Sequence, residues 1–317
     1  MDVSAFVDKA LQPIQALARR GARLAGHRQE WIKVQEALRL SREALAQKDA
    51  ELAKLRGEPT QPDKRAQQGD EFERTAAQLT PYRDRPYTDF SESEKSIYLK
   101  SALNLCGGPE AIVCLIRAVD HVVGNGIPGA FVECGVFMGG NIEVMIRALQ
   151  NRQVEDRDIY LYDTFAGMPQ PEPRDDEGLD GVMKASWEAH RTDADGASGS
   201  DWMRATVETV RRRIEPLRYP PERLHFVKGM VESTIPAVAP EKIAILRLDT
   251  DFYSSTKHEL EHLYPRLMPG GILIIDDYGA MPGARLATDE YGSENHLGWF
   301  LNRVDPHVRL MVKPATR

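Results

Sequence analysis

The chain has 317 residues, with 41 Lys and Arg against 48 Asp and Glu and a formal net charge of −7 at pH 7. Hydrophobic residues make up 42% and charged residues 28%, which is typical of a folded domain and excludes a disordered chain. The acidic balance excludes the broad basic surface that sequence-independent nucleic-acid binding requires, so we expect no nucleic-acid partner.

The first 56 residues differ in composition from the rest of the chain. From Pro13 onward they are rich in Ala, Leu, Gln, Glu, Arg and Lys, a composition that favours long helices. An apolar row recurs at every seventh position, and the row three residues earlier is mostly polar. The apolar row consists of Leu17, Leu24, Trp31, Leu38, Leu45 and Leu52. We therefore predict a helical, weak coiled-coil extension that joins copies of the chain into a homo-oligomer, with docking on another molecule and a solvent-exposed helix as alternatives.

Residues 57–72 contain Pro and Gly among many polar residues and are predicted to be a linker to a domain at 73–317. Ser91 and Glu94 form a Ser-x-x-Glu capping box, and Pro109 is suited to the first turn of a helix. Two helices are therefore predicted before the first strand.

From Ala130 onward, short apolar runs alternate with segments of helical spacing. The runs are AFVECGVF, DIYLYDTF, RLHFVKGM, KIAILRLD and GGILIIDDY, and a final run, HVRLMVKP, is suited to an edge strand. Strands that alternate with helices form parallel sheets covered on both faces. The predicted fold class is α/β, a doubly wound, mostly parallel, Rossmann-like sheet with an N-terminal helical extension.

The cysteines and the apolar stretches bear on the location of the protein. Cys106, Cys114 and Cys134 have neither a disulfide pattern nor metal-ligand spacing. The amino terminus lacks a secretory signal pattern, and no stretch approaches the roughly 20 apolar residues of a membrane span. We therefore expect no membrane span and a cytoplasmic location.

The end of the first predicted strand carries a glycine-rich loop. Gly135 is followed by Gly139 and Gly140, after which Asn141 enters a helix. These glycines allow a tight turn and a close approach of the backbone to a ligand. The spacing differs from the dinucleotide fingerprint, which disfavours a pyrophosphate ligand, although a plain strand-to-helix turn has the same pattern.

Carboxylates end the next strands. Asp163 ends the second strand and is suited to accept both hydroxyls of a ribose, with a loop or helix cap as the alternative. Asp249 and Asp251 end one later strand, and Asp276 and Asp277 end the next. Neighbouring buried carboxylates need a proton or a cation, and an oxygen-only set of ligands suits Mg²⁺. The alternative is that individual acids cap the helices that follow.

At these residues the sequence resembles the class I S-adenosylmethionine-dependent methyltransferases, and among them the macrocin O-methyltransferase (TylF/MycF) family. The segments that carry the resemblance lie within about residues 75–317 and are FVECGVFMGGN, YDTFAGMP, VKGMVESTIP, LRLDTDFYSSTKHELEHLYPRLMPGGILIIDDYG and PGARLATDEY. The family acts on sugar hydroxyls of antibiotics and related glycosides. The resemblance therefore implies S-adenosyl-L-methionine as the methyl donor and a small-molecule sugar or glycoside as the acceptor.

The resemblance also implies roles for single residues. Glu133, Gly135 and Gly139 would line the methionine and ribose of the cofactor, Asp163 would take the ribose hydroxyls, and Gly229 to Glu232 would flank the adenine. The neighbouring Cys134, Asn141 and Thr164 are included in the predicted cofactor site. Asp249, Asp276 and Asp277 would hold a divalent metal.

The chemistry of the transfer suggests the remaining roles. A metal chelated by vicinal hydroxyls of the acceptor lowers their pKa and orients them, and a carboxylate then takes the proton. Asp251 is preferred to Asp249 as this base, because a carboxylate committed to Mg²⁺ accepts a proton less well. Tyr253, Tyr278 and Arg285 are candidates for acceptor binding, with packing or a surface ion pair between Arg285 and Asp289 as the alternative.

The sequence also contains two candidate lid loops, and three other functions are weighed against methyl transfer. PYRDRPYTDFSESEK and PEPRDDEGLDG are candidates for a lid, with plain loops as the alternative. A haloacid-dehalogenase-type phosphatase is disfavoured because Tyr253 stands where that chemistry needs Thr or Val. An NAD-dependent sugar oxidoreductase is disfavoured by the missing fingerprint, and a non-catalytic nucleoside-binding scaffold stays an alternative.

Overall fold

A computed structural model describes residues 89–101, 107–192 and 199–315. The predicted extension at 1–56, the linker at 57–72 and the first part of the first lid candidate lie outside the described residues. Within the described ranges, every helix is too short or too polar to span a lipid bilayer.

Helices and strands alternate as the apolar runs predict. The strands are β1 (Ala130–Cys134), β2 (Ile159–Asp163), β3 (Arg191–Thr192), β4 (Gly199–Ser200), β5 (Leu224–Lys228), β6 (Ile243–Leu248), β7 (Leu267–Ile275), β8 (Asn302–Arg303) and β9 (Arg309–Val312). The helices are α1 (Glu92–Ser101), α2 (Pro109–Gly124), α3 (Gly140–Asn151), α4 (Val182–Ala189), α5 (Val207–Ile214), α6 (Val231–Thr234), α7 (Tyr253–Leu263) and α8 (Pro282–Glu294).

The predicted starts of the first two helices are confirmed. The Ser91 amide donates to Glu94 Oε2 at 2.7 Å, and the Glu94 amide donates to Ser91 Oγ at 3.2 Å, which is a reciprocal capping box. Pro109 occupies the first turn of α2, where its missing N–H leaves no helical hydrogen bond unmade.

Seven strands form one sheet in the order β5-β2-β1-β6-β7-β9-β8. The strands from β5 to β7 in this order are parallel, whereas β9 runs antiparallel to β7 and β8 antiparallel to β9. The predicted doubly wound fold is therefore confirmed. The run HVRLMVKP does form a strand, β9, but the short β8 lies outside it at the edge, and the two residues of β8 carry no strand pattern.

Helices cover both faces of the sheet because successive strand residues point to opposite sides. Phe131, Ile245 and Ile272 lie in the same apolar cluster as residues of α2, α3 and α5. On the other face, Leu246 and Leu273 lie in a cluster with Leu260 and Leu263 of α7 and with Tyr291 of α8. The carboxyl ends of the five parallel strands consequently meet along one edge of the sheet.

Candidate active site

A cleft opens at this edge and collects most of the predicted site residues. Those that line it are Gly135, Asn141, Asp163, Thr164, Glu232, Asp249, Asp251, Asp276 and Asp277. The predicted site residues outside its lining are Glu133, Cys134, Gly139, Gly229, Tyr253, Tyr278 and Arg285. Glu133 and Cys134 belong to β1 and are fully buried, so they lie within the sheet rather than on the surface of the cleft.

The glycine loop packs directly against the end of β6. Gly135 has a φ of +86°, and a Cβ there would stand 1.8 Å from the carbonyl oxygen of Asp249. The Asp249 amide donates to the Cys134 carbonyl at 2.9 Å. Only glycine fits at this contact between the two backbones, because any side chain would push the end of β1 away from the end of β6.

Asp163 organises the backbone around the glycine loop. Its Oδ2 accepts from the amides of Val136 and Phe137 at 2.8 and 2.9 Å, and its Oδ1 accepts from the amide of Phe165 at 2.6 Å. Phe137 and Phe165 have positive φ values of 45° and 49°, a backbone conformation that costs free energy in a residue with a side chain. Burial raises the pKa of Asp163, and the three amides oppose that rise. The contact of Asp163 with a ribose stays a prediction.

Four buried side-chain oxygens in or under the cleft have no hydrogen-bond partner among the described residues. They are Glu133 Oε2, Asn141 Oδ1, Glu232 Oε2 and Asp277 Oδ2. Buried polar atoms in folded proteins nearly always have a partner, so four unpartnered acceptors in one region indicate a ligand that brings donors or a cation. Burial raises the pKa of Glu133 to about 8, against the opposing charge of Arg247.

Three carboxylates from the ends of β6 and β7 form a compact acidic cluster. Asp249, Asp251 and Asp277 each present an oxygen, and these oxygens lie within 4.8 Å of one another. Burial raises the pKa of Asp249 to about 6 and that of Asp251 to about 7, and neighbouring carboxylates add to both rises. Asp251 also has a φ of +65°, so its backbone is held in a strained conformation at the cleft.

Arg247 is a charged residue at the site for which the sequence analysis predicted no role. Its side chain is 7% exposed, and its guanidinium contacts three of the acids at the strand ends. Nη1 donates to Glu133 Oε1 at 2.7 Å and to Asp249 Oδ2 at 2.5 Å, and Nη2 donates to Asp276 Oδ1 at 2.5 Å. The sequence does contain one indication of such a role, because a charged residue within the fully buried strand β6 needs charged partners.

The segment between β2 and α5 docks on the helices beside the acidic cluster. Asp175, in a short 3₁₀ turn at Pro173–Asp175, is buried and accepts from the Tyr253 amide at 2.8 Å. A Cβ at Gly283 would stand 2.2 Å from Asp175 Oδ1, so α8 approaches closely as well. The candidate lid PEPRDDEGLDG is thus bonded at Asp175 to the first turn of α7.

The three predicted acceptor-binding residues have other partners or positions. The Tyr253 hydroxyl donates to Glu290 Oε2 at 2.5 Å, and the Tyr278 hydroxyl donates to Asp289 Oδ1 at 2.7 Å. Arg285 is exposed on α8. Their contact with an acceptor stays a prediction.

Side chains that the sequence analysis did not single out line the rest of the cleft. They are mostly apolar and include Met168, Pro169, Met203, Met281 and His307. Met168 and Pro169 end the segment YDTFAGMP, which carries the resemblance, whereas the others come from separate loops that no shared motif or period marks in the sequence.

Comparison with known proteins adds a family match. Residues 105–310 match the family described as Macrocin-O-methyltransferase (TylF). Demethyldecarbamoylnovobiocin O-methyltransferase of Streptomyces niveus is 31% identical over 211 residues, which are 66% of this chain and 75% of that protein. Mycinamicin III 3''-O-methyltransferase of Micromonospora griseorubida is 32% identical over 177 residues, which are 56% of this chain and 65% of that protein. The second match therefore spans slightly less than two thirds of the relative.

Solved structures show a similar fold. The structure of the O-methyltransferase NovP superimposes with a TM-score of 0.58 and 28% identity, over 67% of this chain and 83% of that one. The calicheamicin methyltransferase CalS11 gives a TM-score of 0.51 at 19% identity, over 80% of this chain and 97% of that one, a likeness of fold alone.

Proposed function

Since the chain belongs to the macrocin-O-methyltransferase (TylF) family, we propose that it transfers a methyl group from S-adenosylmethionine to a sugar hydroxyl of a glycosylated small molecule. The observation that carries this proposal is that the glycine loop, the unpartnered acceptors and the acidic cluster meet in one cleft or directly beneath it. Both relatives described above are named as O-methyltransferases, one of a novobiocin derivative and one of mycinamicin III.

The residues at the ends of β1, β2 and β5 fit the proposed cofactor. S-adenosylmethionine offers an ammonium group, two ribose hydroxyls and an adenine amino group as donors. The unpartnered oxygens of Asn141 and Glu232 in the cleft, and of Glu133 beneath it, are acceptors that match such donors. Gly135 brings the loop backbone against β6, and the amides bonded to Asp163 fix the loop that would face the cofactor.

The acids at the ends of β6 and β7 fit a divalent metal. Carboxylate oxygens are the ligands that Mg²⁺ prefers, and Asp277 Oδ2 is buried without a partner. We propose Asp249, Asp276 and Asp277 as the ligands. The compact cluster contains Asp251 in place of Asp276, and Asp276 bonds to Arg247, so Asp251 is the alternative third ligand. When bound, the metal would act as a Lewis acid and would orient the vicinal hydroxyls of the acceptor.

Asp251 is the proposed proton acceptor. Its carboxylate lies beside those of Asp249 and Asp277, within reach of a hydroxyl held at the cluster. We assign it to the proton rather than to the metal because a carboxylate committed to Mg²⁺ accepts a proton less well. The backbone of Asp251 is fixed by the start of α7, where Asp175 bonds to the Tyr253 amide. The proton of the attacking hydroxyl would therefore pass to a carboxylate whose position the fold determines.

The test is methyl transfer from labelled S-adenosylmethionine to a panel of glycosides that carry vicinal hydroxyls, read by the mass gain of one methyl group. We expect transfer to at least one glycoside in Mg²⁺ and its loss in EDTA. Calorimetric titration with S-adenosylmethionine, S-adenosylhomocysteine and NAD identifies the cofactor independently of the acceptor. Binding of NAD without a response to the two sulfur compounds would overturn the proposal.

A further inference from the structure

Arg247 lies on β6, between the two halves of the proposed site. The cofactor half contains Glu133, Gly135, Asn141, Asp163 and Glu232, and the metal half contains Asp249, Asp276 and Asp277. The register places Arg247 of β6 beside Glu133 of β1 on one side and beside Ile274 of β7 on the other. Its guanidinium bonds to Glu133, which belongs to the proposed cofactor half, and to Asp249 and Asp276, which belong to the proposed metal half. One side chain thus joins acids from three adjacent strands.

The charge balance makes this arrangement unusual. Glu133 is fully buried, and Asp249 and Asp276 have side chains that are 24% and 22% exposed. Among the ion pairs of the described residues, these three acids have no cationic partner besides Arg247. Neighbouring carboxylates repel each other strongly at low dielectric, so a fixed cation is needed to keep them together.

We propose that Arg247 is a positioning residue, an internal counter-ion that holds Glu133, Asp249 and Asp276 in their binding arrangement before a metal binds. The inference rests on the proposed function for the identity of the two ligands. It has two consequences. The cofactor binds to the metal-free protein, and a protein without Arg247 depends on a divalent cation to keep its acids together.

The shape of the arginine is part of the proposal. The two Nη atoms of a planar guanidinium point to different acids, whereas a lysine ammonium is a single point charge on a flexible stem. Arg247→Lys keeps the charge and loses the fork, and Arg247→Met keeps much of the apolar stem and loses the charge. Arg147→Met is the matched control, because Arg147 is a partly buried arginine that pairs with Glu143 on α3.

The first measurement is calorimetric titration with S-adenosylhomocysteine, which lacks the sulfonium charge and so does not repel a metal directly. We expect the natural protein to bind it in EDTA with an affinity within about threefold of that in Mg²⁺. Arg247→Met should bind at least about tenfold more weakly in EDTA, Arg247→Lys should fall between, and Arg147→Met should stay within about twofold. Unchanged affinity in a folded Arg247→Met protein would overturn the proposal.

The second measurement is thermal unfolding in EDTA and in Mg²⁺. We expect Mg²⁺ to raise the Tm of Arg247→Met by more than it raises the Tm of the natural protein, which a purely structural loss would not produce. The double variant Arg247→Met/Asp276→Asn has one acid fewer and should be more stable in EDTA than Arg247→Met alone. If neither variant folds even in Mg²⁺, or if Mg²⁺ gives no extra gain, a metal cannot replace the arginine and the proposal is wrong.

The two proposals fail separately. A natural protein that binds S-adenosylhomocysteine only when Mg²⁺ is present contradicts the role of Arg247 and leaves the proposed function intact. A natural protein that binds it in neither condition contradicts the proposed function itself.

Discussion

Gly135 and Asp249 are in contact through their backbones, so closely that a Cβ on the glycine would stand 1.8 Å from the aspartate carbonyl oxygen. The contact joins the glycine loop that follows β1 to the first acid that follows β6. The backbone of the proposed cofactor half therefore rests on the backbone of the proposed metal half.

Gly135→Ala should separate these two strand ends. We expect a loss of unfolding free energy of at least about 2 kcal/mol, from positive φ and overlap together, and at least about tenfold weaker binding of S-adenosylhomocysteine. Gly178→Ala is the control, since Gly178 has a φ of +79° and a Cβ added there would meet no atom within 4 Å. The control should lose about 1 kcal/mol from backbone strain and keep its affinity. Equal effects of the two substitutions on affinity would refute the role of the contact.

Asp163→Asn should disorder the loop around the proposed cofactor. An amide in place of the carboxylate turns one acceptor into a donor facing backbone N–H groups, at a cost of about 2 kcal/mol of unfolding free energy and about tenfold in affinity for S-adenosylhomocysteine. Asp176→Asn is matched to it, because Asp176 accepts from the amides of Met183 and Lys184 outside the cleft. Chemical denaturation and calorimetry should give both variants a stability loss and only Asp163→Asn a loss of affinity.

Asp276→Asn and Asp251→Asn separate the metal ligand from the base. For Asp276→Asn we expect affinity for S-adenosylhomocysteine within about threefold of the natural value, together with at least about tenfold weaker Mn²⁺ binding and reduced methyl transfer. For Asp251→Asn we expect Mn²⁺ binding to be retained and the rate of transfer to fall by about a hundredfold or more. Normal turnover of Asp276→Asn would mean that this acid is not a ligand, and loss of Mn²⁺ binding in Asp251→Asn would exchange the two roles.

Glu259 of α7 predicts a pH-dependent difference in stability. This carboxyl is fully buried, it accepts from the Thr250 hydroxyl at 3.1 Å, and burial raises its pKa well above the usual range. The folded protein therefore keeps a proton that the unfolded chain loses above its own pKa of about 4.3, so the folded state loses stability as the pH rises above that value. Glu259→Gln mimics the protonated form, and its stability relative to the natural protein should grow by up to about 1.4 kcal/mol per pH unit until the folded pKa is reached.

Urea unfolding of the two proteins at several pH values between about 5 and 8 checks this prediction, because most proteins are most stable in that range. A constant difference over that range would show that Glu259 is ionised in the folded protein. Glu222→Gln serves as the control, because Glu222 is exposed and should give no trend.

Removal of residues 1–56 tests the predicted role of the heptad row. If these residues join copies of the chain, light scattering should give a lower oligomeric mass for the shortened protein than for the full chain. The affinity for S-adenosylhomocysteine should be unchanged, because the residues proposed to bind it lie at 133–232. An unchanged mass would favour docking on another molecule over self-association.

The fold and the position of the site were predictable because both follow from local patterns. Apolar runs that alternate with helical segments predict a parallel sheet, and the carboxyl ends of such strands share an edge, so Asp163, Asp249 and Asp277 had to come together. Arg247 could have been noticed as a charge within an apolar strand, but its three partners depend on the strand order. That order follows from the crossovers between strands, which no single segment encodes.

The partners of Asp163 and Tyr253 were not predictable for a different reason. Asp163 bonds to amides in loops of unusual φ, and such conformations are fixed by packing rather than by residue preference. Tyr253 meets Asp175, a residue 78 positions earlier, because the segment after β2 folds back on α7. A long connecting segment has no period that reveals where it docks.

The bond from Asp175 to the Tyr253 amide also limits how this enzyme can be re-engineered. A loop exchange with a relative, intended to change the acceptor, would replace the segment after β2 and with it Asp175. The transplanted loop would have to carry a carboxylate at the same place, and the recipient helix α8 would have to keep its glycine at 283. Chimeras that retain both a carboxylate at position 175 and the glycine at position 283 should preserve the start of α7, and with it the backbone that carries Asp251.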